Sequence, residues 1–81
     1  MTEAKQFRTR MLIGKEVWVE LKIPGLRVFG TFYEFYESNN TIVLRDYEVW
    51  RLREGKWEQE EKGELIIIKG DAWAEIKVPK L

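Results

Sequence analysis

The sequence contains no cysteine and no histidine. The first absence excludes a disulfide framework, and the two together remove the residues that build a structural zinc site. They also remove the usual nucleophile–base pairs, because Ser38 has no imidazole to activate it. No cofactor or metal requirement is expected, and the chain is not expected to be an enzyme. There is no excess of either charge: 14 Lys and Arg balance 14 Asp and Glu. Strong non-specific binding to duplex DNA needs a cationic excess, so the charge balance argues against that role and disfavours a basic chromatin-type barrel, while leaving room for a local basic site. The longest apolar run, Leu65 to Ile68, is far too short to cross a bilayer.

What remains is one short, heavily charged domain. A chain of 81 residues buries only about 60–65% of its unfolded surface, so its core alone is marginal. With disulfides and metals excluded, oligomerisation is the support left to it. Charged residues make up 35% of the chain, against about 25% in ordinary soluble domains. The Glu- and Lys-rich balance resembles that of heat-adapted proteins. Residues 1–13 carry Lys5, Arg8 and Arg10 without an apolar core, which points away from a secretion signal and towards a cytoplasmic location.

Periodicity divides the chain into one helix and five strands. Residues 2–13 read as a short amphipathic helix, with Thr2 as N-cap, Ala4, Phe7 and Met11 on one face, and Gly14 to end it. Val17, Val19, Leu21 and Ile23 alternate with Trp18, Glu20 and Lys22, the pattern of a half-buried strand. Trp18 falls on the polar face, where packing against the helix would cover it. Pro24-Gly25 ends this strand, and a second, aromatic-rich strand runs from about Arg27 to Tyr36. Gly30 within it predicts a sharp bend or a close backbone approach. A polar turn, Glu37 to Asn40, precedes a third strand that starts at Thr41.

The next stretch, about 46–64, reads as a long hairpin. With Glu54-Gly55 as a two-residue turn, Leu52 faces Trp57, Arg51 faces Glu58, Arg45 faces Glu64, Leu44 faces Leu65 and Ile42 faces Ile67. The same register opposes Glu48 to Glu61, so a bulge is predicted between Glu60 and Gly63. Trp50 and Trp57 on this hairpin either cover one another or present an anchor for a protein partner. Glu58, Glu60, Glu61 and Glu64 alternate with Lys56 and Lys62, a solvated charged face and not a catalytic pair. Two further strands, Leu65–Lys69 and Ala72–Lys77, are separated by Gly70-Asp71. The fold class expected is all-β, a small closed barrel behind an N-terminal helix.

The order of these features resembles the Sm-like family, in its SH3-like barrel form. The first Sm motif corresponds to about residues 14–48, with Val17, Val19, Leu21, Gly25, Gly30 and Leu44. The second corresponds to about 65–76 (LIIIKGDAWAEI), with Lys69-Gly70-Asp71 in place of the family's Arg-Gly-Asp or Arg-Gly-Asn. The resemblance spans residues 1–81 as a single domain. It implies a ring of six or seven subunits joined strand four to strand five. It also implies single-stranded, uridine-rich RNA near the pore.

The resemblance also implies the site. Each base would lie between the loop Glu37 to Asn40 and the cation Lys69, with Gly70 allowing close approach and Asp71 buttressing the loop. Tyr36 and Ser38 flank the loop, Tyr36 as a stacking surface. Aligned from Gly30, Asn40 takes the family's base-recognising Asn position. Aligned from Thr41 to Leu44, Thr41 takes it, and Asn39 remains a further candidate. The segment Gly30 to Leu44 also resembles divergent Sm-like modules that bind proteins. The apolar run Leu65–Ile68 needs a covering partner on its edge, which pairing into a closed ring supplies.

Overall fold

The computed structural model describes residues 9–79. Five strands follow in order: β1 (Glu16–Leu21), β2 (Leu26–Tyr36), β3 (Thr41–Arg53), β4 (Lys56–Ile68) and β5 (Trp73–Lys77). They form one antiparallel sheet in the order β4-β3-β2-β1-β5. This corrects the expected closed barrel. β4 and β5 are the two free edges, and the bent sheet stays open between them.

Most of the predicted helix, residues 2–8, lies outside the described residues. Past Arg10 the expectation is corrected, because residues 11–14 form a turn and do not continue a helix. Thr9 and Arg10 have helical backbone, but Leu12, Ile13 and Lys15 donate to carbonyls three residues back, at 3.1, 3.2 and 2.9 Å. The Gly14 N–H then reaches the Phe32 carbonyl (2.7 Å), and Phe32 N–H returns to the Lys15 carbonyl (2.8 Å). The chain is drawn into the sheet before another helical turn can form.

Alternation builds the core. Val17 and Val19 of β1 are fully buried while Trp18 between them faces outward. Val28 and Phe32 of β2, Ile42, Leu44 and Val49 of β3, Ile68 of β4 and Trp73 of β5 complete one cluster. The long strands bend along a shared line. In β2 and β3 the pairing skips from Phe29–Glu48 to Thr31–Arg45, and Asp46 takes a positive φ of 50°. Gly30 lies at this bend because a Cβ there would sit 3.0 Å from the Arg45 carbonyl oxygen. The predicted close approach is therefore real.

The β3–β4 hairpin carries the predicted turn and the predicted bulge. Glu54 and Gly55 both have positive φ (52° and 79°), as a primed two-residue turn requires. Leu52 faces Trp57 and Arg51 faces Glu58 as expected. Between Trp50–Gln59 and Val49–Glu61 the register shifts, leaving Glu60 as the extra residue. The pairs beyond it are corrected by one position: Arg45 faces Leu65, Leu44 faces Ile66 and Ile42 faces Ile68. Glu48 thereby faces Lys62 and not Glu61, which removes the like-charge pair.

Trp18 finds aromatic and cationic neighbours on the sheet itself. It packs on Phe29 (4.8 Å between centroids) and edge-on to Trp50 (6.4 Å), within the outer sheet face. The Arg27 guanidinium lies over the rings of both Trp18 (4.2 Å) and Trp57 (3.8 Å). Register explains this arrangement: Trp18 faces Phe29, Arg27 faces Trp50, and Leu52 faces Trp57. Each of these cation–ring contacts contributes on the order of 0.5–2 kcal/mol.

Candidate nucleic-acid interface

The loop between β2 and β3 folds onto the turn between β4 and β5. Two features of the loop follow from asparagine chemistry. Asn40 adopts a left-handed φ of 56°, which asparagine tolerates better than most residues. Asn39 accepts the Thr41 N–H on its side-chain oxygen at 3.2 Å, a local bond that tightens the turn. On the opposing turn, a Cβ at Gly70 would overlap the Asn39 carbonyl oxygen and sit 2.9 Å from the Asn40 Cβ. Glycine is what lets the two segments meet.

Between them lies an open cavity of about 560 Å³ lined by Asn39, Thr41, Ile67, Lys69, Gly70 and Asp71. Four of the predicted site residues, Asn39, Lys69, Gly70 and Asp71, are thus brought to one place. Thr41 joins them with its side chain largely buried, and Ile67 adds an apolar wall that remains 68% exposed. Sequence reasoning missed Ile67, which the strand alternation beyond Leu65 marks as outward-facing.

Three predicted residues stand apart from this lining. Tyr36 is exposed and donates its hydroxyl to Glu34 at 3.0 Å, a bond that raises its pKa above the ordinary value. Ser38 is exposed at the loop tip. Asn40 turns its carbonyl to Trp73, whose indole N–H donates to it at 2.7 Å. This indole bond and the Gly70 contact tie the loop to the β4–β5 segment. Among the described residues, the side chains of Lys69 and Asp71 form no hydrogen bond or ion pair with a neighbour, so both present their charge to the cavity.

In the β2–β3 ladder, pairing passes from Phe32–Leu44 to Glu34–Val43 and leaves Tyr33 as an extra residue just before the loop. An ion pair from Arg10 to Glu37 further ties the preceding turn to this loop.

A second, more apolar cavity of about 420 Å³ opens along the unclosed seam beside Leu21, Leu26 and Ile66. It shares Ile67, Lys69 and Asp71 with the first. Among the described residues no group of acidic side chains is arranged to hold a metal ion. No described helix is long and apolar enough to cross a membrane.

No protein-family model and no curated protein matches the sequence, but the architecture has clear counterparts among solved structures. A strongly bent five-stranded sheet with this strand order defines a small SH3-like barrel. A Pyrococcus abyssii Sm protein in complex with a uridine heptamer aligns with a TM-score of 0.72 at 25% identity, covering 88% of this chain and 92% of that one. A heptameric archaeal Sm protein gives 0.68 at 20% identity over 91% and 98% of the two chains. A chain of the NatC complex bound to CoA gives 0.65 at 16% identity over 85% and 80%. Within the small barrels, this chain has the Sm-like fold.

Proposed function

We propose that this protein binds single-stranded, uridine-rich RNA as a subunit of a six- or seven-membered homomeric ring. The observation that carries the reading is the cavity formed where the β2–β3 loop meets the Lys69-Gly70-Asp71 turn. Its lining combines a flat-base contact, hydrogen-bonding groups and one cation in the space of a nucleotide. Ile67 offers an apolar surface, the Asn39 amide donates through its nitrogen, and Lys69 meets a phosphate or the face of a base. A uracil edge, with two carbonyls around one N–H, calls for donors and an acceptor, and Asn39 and Asp71 bring both types to the cavity. The solved Sm protein with a bound uridine heptamer supports the ligand class.

Ring formation follows from the free edges. Leu65 and Ile67 on β4 are 56% and 68% exposed, and β5 is open on the side away from β1. Joining β4 of one copy to β5 of the next satisfies both rows of backbone groups. The ring then repeats the cavity around its pore, and the linked sites gain affinity through effective concentration. The alternative, a protein-binding module anchored on Trp50 and Trp57, is less well supported. Trp57 lies under the Arg27 guanidinium and Trp50 meets Trp18 edge-on, with the Trp50 indole bonded to Glu48 at 3.0 Å.

The test is native mass by light scattering with fluorescent oligouridine titrated in parallel. A mass of six or seven protomers with saturable binding is expected. A monomer indifferent to RNA overturns the proposal.

A further inference from the structure

We infer that Trp73 is a positioning residue for the RNA site, acting through the β2–β3 loop and not by touching the base. The inference rests on the RNA-binding reading above and deepens it. The cavity is made of two separate pieces of chain. Asn39 comes from the loop and Thr41 from the start of β3, while Lys69 and Asp71 come from the turn between β4 and β5. Beyond the β3–β4 ladder that ends at Ile42–Ile68, these pieces meet at the close approach that Gly70 permits and at the bond from the Trp73 indole N–H to the Asn40 carbonyl. The first is permissive and holds nothing in place. The second is directional.

Trp73 is suited to this role by where it sits. It is the first residue of β5, paired with Leu21 of β1, and only 8% exposed. Its ring belongs to the core cluster, so it moves with the sheet and not with the loop. The indole N–H is a donor only, and the part-buried carbonyl it meets belongs to the left-handed residue of the turn. Fixing Asn40 fixes its neighbours on both sides. Asn39 is then held with its oxygen on the Thr41 N–H, which directs its amide nitrogen outward as a donor. An aliphatic residue at position 73 would fill the core but leave this carbonyl without its donor. The loop would then sample other conformations, and the RNA would have to order it on binding.

The experiment compares oligouridine binding by the wild type, Trp73→Phe, Asn39→Ala and the double variant. Phenylalanine keeps an aromatic ring in the core and removes the N–H. Trp73→Phe is expected to bind roughly five- to tenfold more weakly, with the salt dependence of binding unchanged because every cation is retained. In the Asn39→Ala background the same substitution is expected to cost nothing further, a coupling that general loosening of the core would not produce.

Equal binding by Trp73→Phe and wild type overturns the inference while leaving the RNA reading in place. An undiminished effect in the Asn39→Ala background overturns it also. A wild type that binds no oligouridine overturns both. If Trp73→Phe lacks the wild-type native mass, the indole proton of the intact chain decides by hydrogen exchange. Slow exchange that slows further with oligouridine supports the role, and a rate indifferent to RNA overturns it.

Discussion

Lys69 is the residue on which the electrostatics of the site turn. It lines the cavity with Asp71 and lies on the turn that directly follows β4. Replacing it with alanine should weaken oligouridine binding and lower the slope of log affinity against log salt, by about 0.7 for each phosphate that is no longer neutralised. Titrations at several salt concentrations measure this, and an unchanged slope would remove Lys69 from the site. Gly70 invites a different substitution. A methyl group there collides with the Asn39 carbonyl, so Gly70→Ala should push the loop off the turn and weaken binding without changing any charge. The weaker binding should therefore come with the wild-type salt slope.

Both of these residues were legible in the sequence, because Lys69-Gly70-Asp71 stands alone between two apolar runs. The separate places of Asn39, Asn40 and Thr41 were not: Asn39 and Thr41 line the cavity while Asn40 turns its carbonyl to Trp73, and that division depends on contacts between segments far apart in sequence. Trp73 was hidden for a related reason. A tryptophan at a strand start reads as core, and its one polar atom finds its partner only in three dimensions.

At the level of elements, the β3–β4 hairpin shows how charge and turn chemistry set a register. The opposition of Glu48 and Glu61 was enough to predict a bulge, and the bulge at Glu60 resolves it by moving Lys62 opposite Glu48. Arg51 meets the displaced Glu60 at 2.6 Å, and Tyr47 donates its hydroxyl to Glu61 at 2.7 Å. The turn is less well adapted, because Glu54 is held at positive φ, where asparagine is preferred. Glu54→Asn should therefore stabilise the domain by about 0.5–1 kcal/mol, a rise of a few degrees in Tm for a domain of this size.

The same hairpin has a pH signature. The hydrogen bond from Arg51, with its charge, holds the Glu60 carboxyl below the usual carboxylate range despite an opposing effect of burial. A depressed carboxyl contributes stability above its unfolded pKa and loses it as pH falls through the folded value. Tyr47 is shifted upward, first by its hydrogen bond to Glu61 and then by burial. A raised group contributes below its unfolded pKa, about 10 for tyrosine, and loses that contribution as pH rises through the folded value. Thermal melts between about pH 9 and 11.5 should therefore fall less steeply for Tyr47→Phe than for wild type. Parallel curves would show that the Tyr47–Glu61 bond adds nothing to folding.

Across the whole molecule, the sheet ends in two unsatisfied edges, and the open seam between them is the feature sequence patterning described least well. Periodicity counts strands and assigns faces, but closure depends on how far the sheet curls. Here β4 and β5 do not pair. Leu65 allows the consequence to be tested without breaking the fold. It is exposed on the β4 edge and faces Arg45 across the β3–β4 ladder. Leu65→Glu places a carboxylate opposite that arginine, a favourable cross-strand pair, while putting a charge on the edge that a second copy must cover. The variant should fold but run as a monomer by light scattering, where the proposed ring predicts six or seven protomers for the wild type. Its Tm should lose the dependence on protein concentration that an assembled state imparts. Oligouridine affinity should fall by about 10²–10⁴-fold as the linked sites separate, although every residue lining the cavity is retained. A variant that keeps the wild-type mass would place the subunit contact elsewhere. A monomer that keeps the wild-type affinity would show that a single cavity suffices and that the ring serves some other purpose.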